Sequence, residues 1–168
     1  MKKIFFILCS LVLLFLGINA EGGLNMKLSS PEFEQKAFIP QRFTCQGKGV
    51  NPALIIEGIP EQAKSLALIM DDPDAPGGDF VHWVLYDIAL TSRIEENTVP
   101  GKQGINSLGR IGYVSPCPPT GVHRYFFKIY ALDKILNLNQ GLSKSELEKE
   151  IAAHLLDKAE LIGLYQKN

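Results

Sequence analysis

The chain has 168 residues, of which 46% are hydrophobic, and its 17 Lys and Arg are nearly balanced by 18 Asp and Glu. A chain of this length and composition is expected to form one domain with a sizeable core. It has no block of basic residues of the kind that binds a nucleic-acid backbone, so nucleic acid is not an expected partner.

The first twenty residues are predicted to be a signal peptide. Two lysines precede an almost unbroken apolar run over residues 4–18, and Ala20 precedes a polar start. The run is shorter than the roughly 20 residues of a membrane-spanning helix, and the order of basic, apolar and small residues is typical of a secretory leader. We expect cleavage after Ala20, a net charge of about −3 on the domain of residues 21–168, no further transmembrane segment, and a periplasmic or secreted location.

Cleavage would leave two of the three cysteines, Cys45 and Cys117. An oxidising compartment favours a disulfide between them. Two free thiols, or a share in a metal site, are the alternatives that the residues alone leave open.

Short apolar segments separated by Pro, Gly and Asp predict a domain of mainly β structure. In chain order, the predicted strands are residues 38–39 with 43–45 (a pair or one bent strand), 53–56, 65–70, 81–88 and 125–132. Residues 65–70 and 125–132 are nearly continuous apolar runs, which predicts central strands buried on both faces.

One helix is predicted near the C-terminus. Ser143 and Glu146 form the pattern of a capping box. The apolar residues that recur on one helical stripe after it are Leu147, Ile151, Leu155 and Ala159. Gly163 is the expected stop, with a short terminal strand over residues 161–165. His154 lies beside the stripe and is interpreted as a packed structural histidine.

The first candidate for chemistry is the acidic, proline-containing turn over residues 71–78, directly after a buried strand. Its two prolines restrict the backbone, so the aspartates held by this turn have fixed directions. A plain surface turn is the alternative. A calcium-binding EF-hand loop is excluded, because Pro76 and Trp83 stand where oxygen ligands are required.

The second candidate is His82, which alternates with apolar residues along a predicted strand. The residues expected to share its face are Phe80, Val84 and Tyr86. A lone histidine in such surroundings is more often a core residue than a functional one.

The third candidate is a loop rich in proline and glycine, residues 109–121, that leads into His123. The loop is too rigid for a helix or a sheet interior, and it delivers His123 to the start of a strand. Tyr125 is expected on the same face as His123, because side chains alternate along a strand.

Taken in order, these motifs are Asp-Pro-Asp-Ala-Pro at 72–76, His-Trp at 82–83 and Pro-Cys-Pro-Pro followed by Gly-x-His-Arg-Tyr within 116–125. That order resembles the bacterial branch of the phosphatidylethanolamine-binding protein family, also called Raf kinase inhibitor-like proteins. The likeness covers essentially residues 25–166. It implies an antiparallel β-sandwich with a C-terminal helix; no cofactor or metal is expected.

The resemblance also implies a pocket for a small anion. The ligand-facing residues that it implies are Asp72 at the rim, His82, Cys117 through its backbone N–H, His123 and Tyr125. Asp74 would turn inward to hold the loops, and Pro76 would stiffen the turn. One departure is Val114-Ser115-Pro116 in place of a glycine-containing stretch, which is expected to narrow the pocket mouth.

The function expected from the resemblance is an exported protein that binds a small anion or phosphorylated head group. It would act by binding or inhibiting an extracytoplasmic protein; a homodimer is left open. Affinity for phosphate is expected to rise as pH falls through about 6–7. The alternative is a hydrolase-like enzyme with Cys117 as nucleophile, or with zinc on His82, His123 and Asp72, although Gly-x-Ser-x-Gly and His-Glu-x-x-His motifs are absent.

Overall fold

The computed structural model describes residues 25–167. The predicted signal peptide, residues 1–20, lies outside the described residues. No helix within residues 25–167 has both the length and the apolarity needed to cross a membrane.

Two antiparallel sheets form the body of the domain. The strands are β1 (Lys27–Ser29), β2 (Leu54–Glu57), β3 (Ser65–Asp72), β4 (Phe80–Ile88), β5 (Arg93–Ile94), β6 (Lys102–Gln103), β7 (Val122–Leu132) and β8 (Leu155–Gln166), with helix α1 (Lys144–His154) and a 3-10 turn (Gln41–Phe43). The smaller sheet has the order β1-β2-β5 and the larger one β6-β4-β3-β7-β8. The prediction of a mainly β antiparallel sandwich with one helix is therefore confirmed.

The larger sheet has a separate apolar core on each face. The core between the two sheets includes Leu54 and Ile56 of β2 together with Phe127 of β7. The core under α1 joins Leu147 and Ile151 of the helix to residues of β3 and β4. β3 lies between the two cores, and all eight of its residues are buried, as its apolar run predicts.

β7 differs from its prediction. Its burial alternates, and Phe126, Lys128 and Tyr130 are only half-buried. The reason is that the single helix covers only part of that face of the sheet. The outer face of β7 is therefore left partly open to solvent.

The start of α1 agrees with the sequence. Ser143 Oγ accepts a hydrogen bond from the Glu146 N–H at 3.3 Å, and Glu146 Oε2 accepts one from the Ser143 N–H at 2.8 Å. Both halves of the predicted capping box are thus present. His154 bonds Asp133 Oδ1 at 2.9 Å at the end of the helix, in agreement with a structural histidine.

The end of α1 does not agree. The helix ends at His154, and the last element is the twelve-residue strand β8, which pairs with β7 along its length. Leu155 and Ala159 are therefore not helical, and Gly163 does not stop the helix. A spacing of four residues also keeps side chains on one face of a strand, so the stripe did not distinguish the two structures.

The predicted strands over residues 38–39 and 43–45 are also wrong. Phe38 forms only an isolated bridge with Leu164, and the chain then makes the 3-10 turn Gln41–Phe43. Pro40 lacks the N–H that a regular ladder would use, and the Thr44 N–H instead donates to Gln41 O at 3.0 Å. Local hydrogen bonds replace strand pairing at Phe43 and Thr44, whereas Ala37 and Ile39 bond the backbone of Leu164 in β8.

Candidate functional site

A pocket of about 180 Å³ lies where β3 ends and where β4 and β7 begin. The residues that line it are Asp72, Ala75, Pro76, Phe80, His82, Val114, Ser115, Cys117, Pro118, Pro119, His123 and Tyr125. The structure therefore brings together Pro76 and all five residues that the resemblance implied as ligand-facing. Asp74 is not in this lining.

A β-bulge directs His82 into the pocket. His82 is the extra residue of β4, because its two neighbours pair with consecutive residues of β3. Its ring centre is 4.8 Å from that of Phe80 and 5.2 Å from that of Tyr125. Val84 and Tyr86 belong to the core under α1. The expectation that they share a face with His82 is wrong, because a bulge interrupts the alternation of side chains.

The orientation of the His82 ring is set by a backbone carbonyl. Nδ1 donates a hydrogen bond to Val114 O at 2.7 Å, so the neutral ring carries its lone pair on Nε2. Burial lowers the pKa of His82 below its ordinary value of 6.5, against the opposing effects of the Val114 bond and the charge of Asp72. At neutral pH this imidazole is therefore mainly uncharged.

His123 and Asp72 form a buried pair. His123 Nδ1 is 2.7 Å from Asp72 Oδ2, and the two side chains are only 7% and 5% exposed. The other carboxylate oxygen accepts the Asp74 N–H at 2.9 Å. Asp72 thus lies in the pocket wall rather than at an open rim. It fixes the His123 ring so that Nε2 is the nitrogen left for other contacts.

Tyr125 supplies a polar group without a protein partner. Among residues 25–167, its hydroxyl is the one buried side-chain polar atom that has no hydrogen-bond partner. Burial, and then the nearby charge of Asp72, raise the pKa of Tyr125 above its ordinary range. The hydroxyl therefore stays protonated and can donate.

Cys45 and Cys117 are joined by a disulfide, with Cα atoms 5.4 Å apart. The prediction of this bond is confirmed. The Cys45 N–H also donates to Pro116 O at 3.0 Å, so the proline-rich loop is attached to the chain beside the 3-10 turn. A thiol nucleophile at Cys117 is excluded in this oxidised form.

Asp74 supports the turn from outside the pocket. It accepts hydrogen bonds from Arg124 Nε at 2.8 Å, Arg124 Nη2 at 2.7 Å and the Arg124 N–H at 2.9 Å. The hydrogen bond from the Arg124 side chain is the main reason why the pKa of Asp74 falls to about 2. The side chain is 28% exposed, so the inward orientation expected for it is not observed. It connects the turn to β7 instead.

Sequence reasoning missed the Val114 carbonyl and Arg124. A backbone acceptor has no signal in the sequence, whereas the place of Arg124 directly after His123 could have drawn attention to it. Within the described residues, no group of three or more His, Cys, Asp or Glu side chains is arranged to hold a metal ion. The zinc alternative on His82, His123 and Asp72 therefore lacks its ligand set.

Fold and site together define a class: a two-sheet β domain with a small histidine-containing pocket at the ends of the central strands. A family profile described as phosphatidylethanolamine-binding protein matches residues 29–166. The chain belongs to that family, as the order of its motifs indicated.

Its relatives span bacteria and archaea. A UPF0098 protein of Pyrococcus horikoshii is 44% identical over 174 residues, covering 96% of this chain and 87% of that protein. One of Methanothermobacter thermautotrophicus is 45% identical over 150 residues, covering 84% and 99%.

Two crystal structures share the fold. A Chlamydia trachomatis protein, described as a homologue of phosphatidylethanolamine-binding protein, superposes with a TM-score of 0.84 at 39% identity, covering 86% of this chain and 99% of that one. Escherichia coli YbcL, described as a new member of the mammalian family, gives 0.78 at 25% identity, with the same coverage of 86% and 99%.

Proposed function

We propose that this is an exported binding protein whose pocket takes a small anion or a phosphorylated head group. It acts by binding or inhibiting a protein outside the cytoplasm. The observation that carries the proposal is that both imidazoles are held through Nδ1, His82 by Val114 O and His123 by Asp72. The pocket of about 180 Å³ is below the roughly 300–1,000 Å³ typical for larger ligands, which suits a head group.

In this proposal, uptake of a proton by the imidazole of His82 controls how tightly the anion binds. A neutral imidazole held through its Nδ1–H presents a lone pair at Nε2, which repels an anion, whereas the imidazolium presents a donor there. Because the pKa of His82 is lowered, its Nε2 becomes a hydrogen-bond donor only at a pH below the ordinary pKa of histidine. An anion that binds the protonated ring raises that pKa again, so phosphate affinity increases as pH falls.

The test is an NMR titration of uniformly ¹⁵N-labelled protein with inorganic phosphate, and separately with phosphoethanolamine, at pH 5.5 and 7.5. We expect the imidazole signals of His82 and His123 to move, with tighter binding at the lower pH. His154 is the matched control, because it bonds Asp133 and does not line the pocket. Unmoved pocket signals at both pH values, or an equal shift of His154, would contradict the proposal.

One observation favours the hydrolase-like alternative. The hydrogen-bonded pair of His123 and Asp72 is an arrangement that orients a general base. Cys117 is in the disulfide, so Ser115 is the aliphatic hydroxyl that lines the pocket. Ester or phosphate-ester turnover that disappears in both Ser115→Ala and His123→Ala would favour the enzyme over the binding protein.

A further inference from the structure

A buried carboxylate lies directly behind the pocket wall. Asp71 precedes Asp72 in β3, and its side chain is 1% exposed. Both of its oxygens are 2.8 Å from Lys128 Nζ, and Oδ2 is 2.7 Å from Lys144 Nζ. Lys144 is the first residue of α1, so the start of the helix is bonded to the strand end that carries Asp72.

Lys144 also bonds the other end of the same turn. Its Nζ contacts the carboxylate of Asp79, the residue just before β4 begins at Phe80. Asp71 and Asp79 flank residues 72–78, the turn that supplies Asp72, Ala75 and Pro76 to the pocket. The ammonium group of Lys144 therefore joins the two ends of this turn. We call these two ends, Asp71 and Asp79, the neck.

Packing does not hold the second half of the turn. A Cβ built on Gly77 or Gly78 meets nothing within 4 Å, and Gly78 has φ +97°. The backbone there is free of side-chain contacts and uses a conformation that favours glycine. Backbone contacts close the turn, because Asp72 pairs with Phe80 and the Gly78 N–H donates to Ala75 O at 2.9 Å. The ionic contacts of Lys144 at the neck and of Arg124 at Asp74 add side-chain links to this frame.

Lys144 keeps its charge in this position. Burial by itself would lower the pKa of Lys144, but its hydrogen bonds to Asp71 and Asp79 outweigh that effect, and the pKa lies above its ordinary value. A partly buried ion pair is also screened less by solvent than an exposed one. Lys144 therefore stays charged at both pH 5.5 and pH 7.5, the conditions at which phosphate binding is tested.

We infer that Lys144 is a positioning residue for the pocket: by bonding Asp71 and Asp79 it reinforces the β3–β4 pairing at the neck and sets Asp72 against His123. The inference rests on the proposed function and names the part of the fold outside the pocket that determines its affinity. A lysine that only stabilised the helix would not affect the local geometry of the turn.

The test compares four variants with the wild type: Lys144→Met, Lys144→Arg, Asp79→Asn and Lys128→Met. Lys144→Met removes the whole neck contact. Asp79→Asn weakens it without unpairing a buried group, since Asp79 is 40% exposed, and this variant keeps the test usable if Lys144→Met folds poorly. Lys128→Met is the matched control, because it removes a lysine from Asp71 but has no contact with Asp79 in the described structure.

Two measurements are made on each variant. The first, without ligand, is hydrogen exchange of the Asp74 N–H, which bonds Asp72 Oδ1, together with the imidazole shifts of His123. The second is the dissociation constant for inorganic phosphate at pH 5.5. We expect faster exchange and a constant about fivefold higher or more in Lys144→Met, an intermediate effect in Asp79→Asn, and rescue by Lys144→Arg.

The outcomes separate the two proposals. Wild-type exchange and phosphate affinity in both Lys144→Met and Asp79→Asn would overturn the inference, as would an equal effect of Lys128→Met. A wild type that binds no phosphate would contradict the proposed function, and the ligand-free exchange and His123 shifts would then decide the inference alone.

Discussion

Tyr125 is the residue whose burial carries the clearest energetic cost. Its hydroxyl is fully buried and has no hydrogen-bond partner among the described residues. Such a group costs about 1–3 kcal/mol relative to one that is paired. A binding site gives a reason for keeping it, because a ligand oxygen in the pocket would accept a hydrogen bond from this hydroxyl after a small movement of the surrounding side chains.

Tyr125→Phe removes this hydroxyl and little else. We expect the ligand-free protein to be as stable as the wild type or more stable, because a buried unpaired group is lost. Phosphate affinity should fall about tenfold, since hydrogen bonds to charged groups contribute roughly 1.5–3 kcal/mol. Urea unfolding and phosphate titration measure the two quantities.

Tyr113→Phe is the control for this prediction. Tyr113 is also an aromatic residue near the site, with its hydroxyl 3.5 Å from Phe43 O, but it does not line the pocket. Its loss should leave phosphate affinity unchanged. Reduced stability with unchanged binding in Tyr125→Phe would show that the hydroxyl has only a structural use.

At the scale of elements, a β-bulge and an irregular loop orient the side chains of the pocket. The bulge in β4 directs His82, and the disulfide attaches the proline-rich loop to the segment after the 3-10 turn. That loop supplies Val114, Ser115, Cys117, Pro118 and Pro119 to the pocket lining. The regular strands provide a rigid base, and the loops attached to them provide much of the surface that a ligand would contact.

Replacing both Cys45 and Cys117 with serine should destabilise the protein by about 2–4 kcal/mol, because the bond closes a long loop in the unfolded chain. The two cysteines are 72 residues apart. Urea unfolding of the protein of residues 21–168, with and without dithiothreitol, measures the effect. The wild type should respond to the reductant and the double variant should not; equal stability of all four samples would contradict the prediction.

At the scale of the whole molecule, the proposal depends on export. The described residues begin at Asn25, and the Met26 N–H bonds Asp157 Oδ2 of β8 at 2.9 Å. Export would place the disulfide in an oxidising compartment. It would also restrict protein partners to those outside the cytoplasm. The homodimer left open by the sequence stays a prediction.

Export is tested by expressing the full chain in a bacterium and measuring the intact mass of the protein in each cell fraction. We expect a form that begins at Glu21 in the periplasmic or external fraction. Leu13→Asp interrupts the apolar run of residues 4–18 and should leave the uncleaved chain in the cytoplasm. Uncleaved wild-type chain confined to the cytoplasm would exclude the exported part of the proposal.

The sequence by itself determined the features that depend on local chemistry and on order along the chain. The capping box at Ser143, the fully buried strand β3 and the three motifs that identify the family are of this kind. Each involves residues close together in sequence, or an order that can be read directly, so no knowledge of distant pairing was needed.

Only the tertiary structure decided how these parts meet. Pairing with β7 made a strand of residues that have helical spacing, and the register with β3 turned His82 towards the pocket. The Val114 carbonyl and Asp72 determined which nitrogen of each histidine is held, and Lys144 joined the two ends of the turn. These contacts connect segments far apart in the chain, and local patterns carry no information about their register.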